Sequence, residues 1–121
     1  MLIVFTGHRD RLASPADLHA IEAQYPLARW MHGGAVGFDT QVHTIALEIG
    51  KSVAANTLVI VRPEYGKYHP SAAPLRRNEI MVDQADIVYA CFDGRQRGGT
   101  YATINYAKRK GKQVIVLEPK E

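Results

Sequence analysis

The segment LARWMHGGAVGFDTQVHTIALEI, residues 27–49, decides the fold. Leu27 to His32 reads as a strand, Gly33, Gly34 and Gly37 break it into a turn, and Phe38, Val42, Ile45, Ala46 and Ile49 recur at helical spacing. A strand that runs through a glycine turn into an amphipathic helix is half of a βαβ unit. Working outward, the same grammar repeats. Leu2 to Thr6, about Leu58 to Val61, Ile87 to Phe92 and Gln113 to Leu117 are further strands, and most are continuously apolar, as parallel strands buried on both faces are. The strand from Leu27 is the weakest, because Arg29 lies inside it.

Between these runs, Leu18, Ile21 and Tyr25 form one helical face after Ser14-Pro15, an N-cap and N1 pair. A third helix is predicted from about Ser71 to Gln84. A fourth spans about Thr100 to Lys110 and is stopped by Gly111; Lys108, Arg109 and Lys110 fill its last turn, where cations complement the helix dipole. Alternating strands and helices imply right-handed crossovers and a parallel sheet covered on both faces. The expected architecture is α/β, a Rossmann-like three-layer sandwich of about five strands, with residues 1–121 as one domain.

Composition agrees. The chain has 121 residues, 46% hydrophobic and 22% charged, which excludes a disordered or fibrous polypeptide. Its net charge of +3 favours anionic partners without matching a dedicated DNA-binding chain. Cys91 is the single cysteine, so there is neither an internal disulfide nor a CxxC metal or redox pair; it reads as a small buried thiol. Trp30 and Met31 read as core. No apolar run is long enough to cross a bilayer, and Met1 to His8 has no leader character, so a cytoplasmic protein without membrane association is expected.

In an open parallel sheet the loops after the strands' carboxyl ends share one edge, and ligands bind there where strand order reverses. Eight of the ten glycines lie in those loops: Gly7, Gly33, Gly34, Gly37, Gly66, Gly94, Gly98 and Gly99. So do seven of nine arginines, or residues next to them: Arg9, Arg11, Arg62, Arg76, Arg77, Arg95 and Arg97. Glycine lets the backbone approach a ligand, helix N-termini offer unpaired N–H groups, and arginine suits bidentate phosphate contacts. Two anion cradles are therefore expected, at Gly33 to Gly37 and at Gly98 to Thr100. Asp39, in the first turn of the second helix, suits the dipole and could accept ribose hydroxyls or hold the glycine turn. Thr100 is assigned to a phosphate oxygen. His8 and His32, each after a strand, are candidate donors or acid–base groups on the same edge. The long connection Arg62 to Pro70 reads either as a lid or as a plain surface crossover. No recognised metal-ligand spacing occurs, and no cofactor is expected.

Four ordered motifs resemble the SLOG superfamily, which includes the DprA/Smf DNA-processing proteins, the LOG phosphoribohydrolases and small stand-alone YspA/YpsA-like proteins. They are Phe5-Thr6-Gly7-His8-Arg9, His32-Gly33-Gly34-Ala35-Val36-Gly37-Phe38-Asp39, Ala73-Pro74-Leu75-Arg76-Arg77-Asn78 followed by Met81, and Gly98-Gly99-Thr100. The stand-alone branch looks most similar. The resemblance covers nearly the whole chain and implies a nucleotide-derived ligand at the strand edge. The loop reading and the resemblance together give as ligand or phosphate contacts Thr6, Gly7, His8, Arg9, Gly33, Gly34, Ala35, Gly37, Asp39, Arg62, Arg77, Asn78, Gly98, Gly99 and Thr100. It also places Arg77 at the LOG catalytic arginine and implies homo-oligomers that pair through helices. The LOG catalytic glutamate is Thr103 here, which supplies no carboxylate, and Glu79 is the nearest substitute acid or base.

The first expectation is thus binding of a nucleoside monophosphate or ADP-ribose-like molecule, with N-glycosidic hydrolysis as its catalytic version. The alternative is DprA-like binding of single-stranded nucleic acid, with Tyr65 or Tyr68 stacking on bases. A scaffold that serves only for assembly ranks last, since it leaves the clustered glycines and arginines unexplained.

Overall fold

The computed structural model describes residues 1–120. Its elements are β1 (Leu2–Gly7), α1 (Pro15–Gln24), β2 (Arg29–His32), α2 (Phe38–Glu48), β3 (Leu58–Ile60), α3 (Ala73–Gln84), β4 (Ile87–Cys91), α4 (Gly98–Arg109) and β5 (Gln113–Leu117). All strand pairs are parallel, in the order β3-β2-β1-β4-β5. The chain winds outward from β1 to β3, then crosses back to lay β4 on the other side of β1. The reversal point lies between β1 and β4, where the carboxyl ends splay and leave a crevice.

Side-chain alternation along each strand divides the interior into two layers. Ile3 and Phe5 of β1, Trp30 of β2, and Ile87, Tyr89 and Cys91 of β4 pack with Leu18 and Ile21 of α1 and Phe38, Val42 and Ile45 of α2. Leu2, Val4, Met31 and Val88 point the other way, against Met81 and Val82 of α3 and Ala107 of α4. Phe5 is the hub of the first layer, with ring centroids 4.7 Å from Trp30, 6.0 Å from Tyr89 and 6.3 Å from Phe38. Each such fully buried side chain contributes about 1.5–3 kcal/mol of transfer free energy. Trp30, Met31 and Cys91 are core, as the sequence indicates.

Element ends differ from the sequence reading for local reasons. Leu27 is 94% exposed, and the Ala28 N–H donates to Tyr25 in a turn, so β2 begins at Arg29. Ser14 precedes α1, but its side chain makes no capping bond; its carbonyl accepts the Asp17 N–H instead. Gly111, at φ +73, ends α4 as expected: its N–H donates to Lys108 O and that of Lys112 to Ala107 O, the paired bonds of a Schellman turn. None of the described helices is long and apolar enough to cross a membrane.

Candidate functional site

The crevice between β1 and β4 opens into a cleft of about 850 Å³. Thr6, Gly7, His8 and Arg9 enter it from the end of β1, Ala35 and Asp39 from the β2–α2 turn, Arg77 and Asn78 from α3, and Gly98, Gly99 and Thr100 from the start of α4. These residues are scattered over most of the chain. Strand order alone brings them together.

Asp39 is the most constrained group. It is 6% exposed, and its Oδ2 accepts the N–H groups of Gly33 and Ala35, both at 3.2 Å. No described group hydrogen-bonds Oδ1. Burial raises the carboxyl from 3.8 to about 6, even though the two N–H donors and the Arg77 and Arg9 cations oppose the shift. Arg77 is equally buried. Its Nη1 donates to the carbonyl of Gly33 and to that of Val61 at 3.3 Å, and its Nε to Asn78 Oδ1 at 2.7 Å. The chain of bonds continues: Asn78 Nδ2 donates to Thr103 Oγ1 at 2.9 Å, and Thr103 Oγ1 to Gly99 O at 2.7 Å. One polar relay thus ties the β2–α2 turn to the start of α4.

The two glycine turns are not equivalent. A Cβ on Gly33 would strike the Arg77 guanidinium, and one on Gly37, at φ +81, would strike the Arg9 carbonyl. The N–H of Phe38 at the head of α2 already donates to His8 O at 3.2 Å. At α4, by contrast, Arg97 in the N-cap position makes no capping bond, and among the described residues the N–H groups of Gly98, Gly99 and Thr100 find no acceptor. A Cβ on Gly98 would meet nothing, and one on Gly99 only Leu75 Cδ2 at 3.9 Å.

Several expectations need correction. Gly33, Gly34 and Gly37 do not line the cleft; their turn is closed by the protein's own groups. Arg62 lies outside it too, with Nη1 3.4 Å from Gly34 O, because β3 is the sheet edge, two strands from the reversal point. The rest of Arg62 to Pro70 is likewise absent from the cleft wall, and Ser71, just beyond it, is the first residue after β3 to reach it. Glu79, expected as a substitute acid or base, does not line the cleft. It lies two residues beyond Arg77, about 200° around the helix, and pairs with Arg76 at 3.1 Å. His32 faces inward: its Nδ1 accepts the Gly34 N–H at 2.9 Å, its Nε2 lies 2.9 Å from His43 Nδ1, and burial pushes it down to about 4.

His8 does line the cleft. Its Nε2 is 3.1 Å from Asp93 Oδ1, and burial, aided by Arg95, lowers its pKa against the opposing pull of Asp93 and Asp10. Asp93 is held well below the usual carboxylate range by Arg95, which also bonds Asp10. Of the cleft arginines, Arg9 and Arg97 make no side-chain bond to a described residue. Asp10, Ser71, Pro74, Leu75, Arg95 and Arg97 also line the cleft, beyond the contacts expected from the sequence. Pro74 and Leu75 belong to the motif that contains Arg77, so their neighbourhood was visible in the sequence. Among the described residues, no cluster of three or more His, Cys, Asp or Glu side chains is placed to hold a metal ion.

No protein-family model matches the chain, and no curated protein matches it. Chemically, the cleft offers N–H donors and two unengaged guanidinium groups for an anion. It also offers one free carboxylate oxygen for a hydroxyl, and an apolar shelf of Pro74 and Leu75.

Proposed function

We propose that the chain binds a nucleotide or nucleotide-derived ligand, a nucleoside monophosphate or ADP-ribose-like molecule, in the β1/β4 cleft, as a member of the SLOG superfamily. One observation carries this reading: the uncapped start of α4 and the unpartnered Oδ1 of buried Asp39 line the same cleft. A phosphate fits the Gly98 to Thr100 N–H groups, where dipole and donors favour an anion, with Arg9 and Arg97 beside it. A carboxylate repels phosphate but accepts hydroxyls, so Asp39 suits the ribose. The base then lies along Pro74 and Leu75. The cleft volume is within the range usual for small-molecule sites.

Binding without turnover is the favoured form. The Thr103 hydroxyl, at the position of the LOG glutamate, is committed to Asn78 and Gly99, and Glu79 is turned away. A hydrolytic version has Asp39 and His8 as its acid–base groups.

Thermal unfolding of the wild type, Gly99→Ala and Gly99→Asp with AMP, GMP, CMP, UMP, ADP-ribose, NAD and a short single-stranded DNA, at low and moderate salt, tests the proposal. Gly99 has ordinary φ and open space at Cβ, so both variants are expected to fold. A ligand at about a hundred times its dissociation constant adds about 2.7 kcal/mol. A small nucleotide should stabilise the wild type and Gly99→Ala but not Gly99→Asp, whose carboxylate occupies the anion cradle; free base in the mixture would show turnover. Stabilisation by DNA alone, lost steeply with salt, would overturn the reading in favour of a nucleic-acid track.

A further inference from the structure

Resting on the reading above, we infer that the ligand has two halves joined by a pyrophosphate, and that Arg95 selects for it at the partition between the β1/β4 cleft and a second pocket. The first observation is that pocket. About 930 Å³ of space lies at the carboxyl ends of β4 and β5, outside the cleft. Leu12, Phe92, Val116 and Pro119 give it an apolar surface, and Leu12 and Val116 are 44% and 47% exposed, large aliphatic side chains left facing one hollow. Its shape is built in. The Lys120 N–H donates to Leu12 O at 2.7 Å and Ala13 bridges Pro119, which clasps the β1–α1 loop to the segment after β5. Phe92 stacks on Tyr101 with ring centroids 6.3 Å apart.

The second observation is what stands between the two spaces. Asp10 lines both of them. His8 of the cleft and Phe92 of the pocket lie with ring centroids 5.6 Å apart. From the β4–α4 loop, Arg95 Nη2 reaches across to Asp10 Oδ1 at 3.2 Å, and Arg11 Nε lies 3.6 Å from Asp93 Oδ2. The partition is thus a set of side chains, two carboxylates and two guanidinium groups, and it sets no net charge against a phosphate that crosses it.

The third is that Arg95 is only partly engaged. Its Nε and Nη2 grip Asp93 as a fork, at 3.0 and 2.6 Å, and Nη1 bonds no described residue. The contact with Asp10 rests on one nitrogen and a side chain that is 62% exposed, and such an ion pair contributes little. A phosphate oxygen therefore displaces Asp10 at small cost, while the fork on Asp93 keeps the guanidinium in place. Asp10 retains Arg11, 3.9 Å away. With one phosphate on the Gly98 to Thr100 N–H groups and the next on Arg95, the second half of the ligand crosses the partition. Glu118 then accepts its hydroxyls, and Leu12 and Val116 cover its apolar face. A monophosphate ends short of Arg95 and leaves the pocket empty.

Titration calorimetry with AMP, ADP, ADP-ribose and diadenosine pyrophosphate tests this on the wild type, Val116→Trp, Leu12→Trp and Arg95→Gln. The two long ligands should bind the wild type at least tenfold more tightly than AMP, with ADP between. Val116→Trp and Leu12→Trp fill the pocket from exposed positions outside the cleft. Each should return both long ligands to the affinity of ADP and leave AMP unchanged. The two plugs sit on different elements, so one that fails to fold leaves the other, checked by circular dichroism, to decide. Arg95→Gln should erase the step from AMP to ADP. Long ligands bound no more tightly than ADP, or a preference that survives the plugs, would overturn the inference and leave the proposed function standing. Binding of neither AMP nor any longer ligand would overturn both.

Discussion

The β2–α2 turn and the β4–α4 turn are spelled alike, each a strand run followed by glycines and a helix, yet the molecule uses them oppositely. In the first, glycine makes room for the protein itself: Arg77 presses on Gly33, the Arg9 carbonyl on Gly37, and Asp39 takes up the Gly33 and Ala35 N–H groups. In the second, glycine leaves space that no described atom fills, and the N–H groups of α4 point into it unclaimed. A glycine-rich turn thus answers to different demands, close approach of the protein's own groups at Gly33 and Gly37 and a left-handed φ of +89 at Gly98, and only the structure tells which.

The sharpest way to break this comparison is a matched pair of alanines. Gly37→Ala combines a left-handed φ with a clash against backbone and should cost about 2–4 kcal/mol in denaturant unfolding. Gly99→Ala should instead gain up to about 1 kcal/mol, since a helical glycine with free space loses only conformational entropy. Equal effects would mean that the two turns do the same job.

The pH dependence of stability sharpens the contrast further. The folded chain holds a proton on Asp39 between about 4 and about 6 that the unfolded chain releases, so this group favours folding more as pH falls through that window. At neutral pH its buried charge opposes folding by on the order of 2–3 kcal/mol. His32 works the other way: depressed from 6.5 to about 4, it is protonated first in the unfolded chain and withdraws stability as pH falls through the same range. The two nearly offset each other in the wild type. Asp39→Asn should raise stability at neutral pH and expose a steeper acid loss between 6.5 and 4 in urea midpoints taken across pH. A profile parallel to that of the wild type would separate Asp39 from the first turn's internal balance.

The smallest effect concerns the relay that joins the two turns. Thr103→Val keeps the shape but removes the hydroxyl that Asn78 and Gly99 share, and should cost about 1 kcal/mol in the same assay. A value near zero would mean that the start of α4 is held by packing alone.

The fold was legible because most strands are apolar runs of the right length and α2 keeps a periodic apolar face, signals local to a few residues; β2, with Arg29 and His32 in four residues, was the faintest of them. The cleft was legible as far as the rule for carboxyl-edge loops reaches, which covers Thr6 to Arg9, Asp39 and Gly98 to Thr100, while Arg77, inside α3, was marked out by the resemblance. That rule does not say which loops sit at the reversal point, and so it takes in Arg62, which lies by the β3 edge outside the cleft wall. The inward turn of His32 rests on His43, eleven residues on, and the bond between Asn78 and Thr103 on the packing of α3 against α4. Neither leaves a trace in spacing along the chain.

The crossover from β3 to β4 has one further consequence. Thr6, Arg9, Ala35 and Asp39 come from before it, and Arg77, Asn78, Gly98 and Thr100 from after it, so each wall of the cleft belongs to a different half of the polypeptide. The halves meet along the β1–β4 ladder and the Arg77–Gly33 bond. Whatever occupies the cleft is thereby a clamp across that seam: its binding free energy is spent partly on holding two stretches of chain together. A nick in the exposed segment around Gly66 would yield two fragments whose affinity for one another rises with the concentration of ligand, a reporter of occupancy that needs no knowledge of what the ligand is.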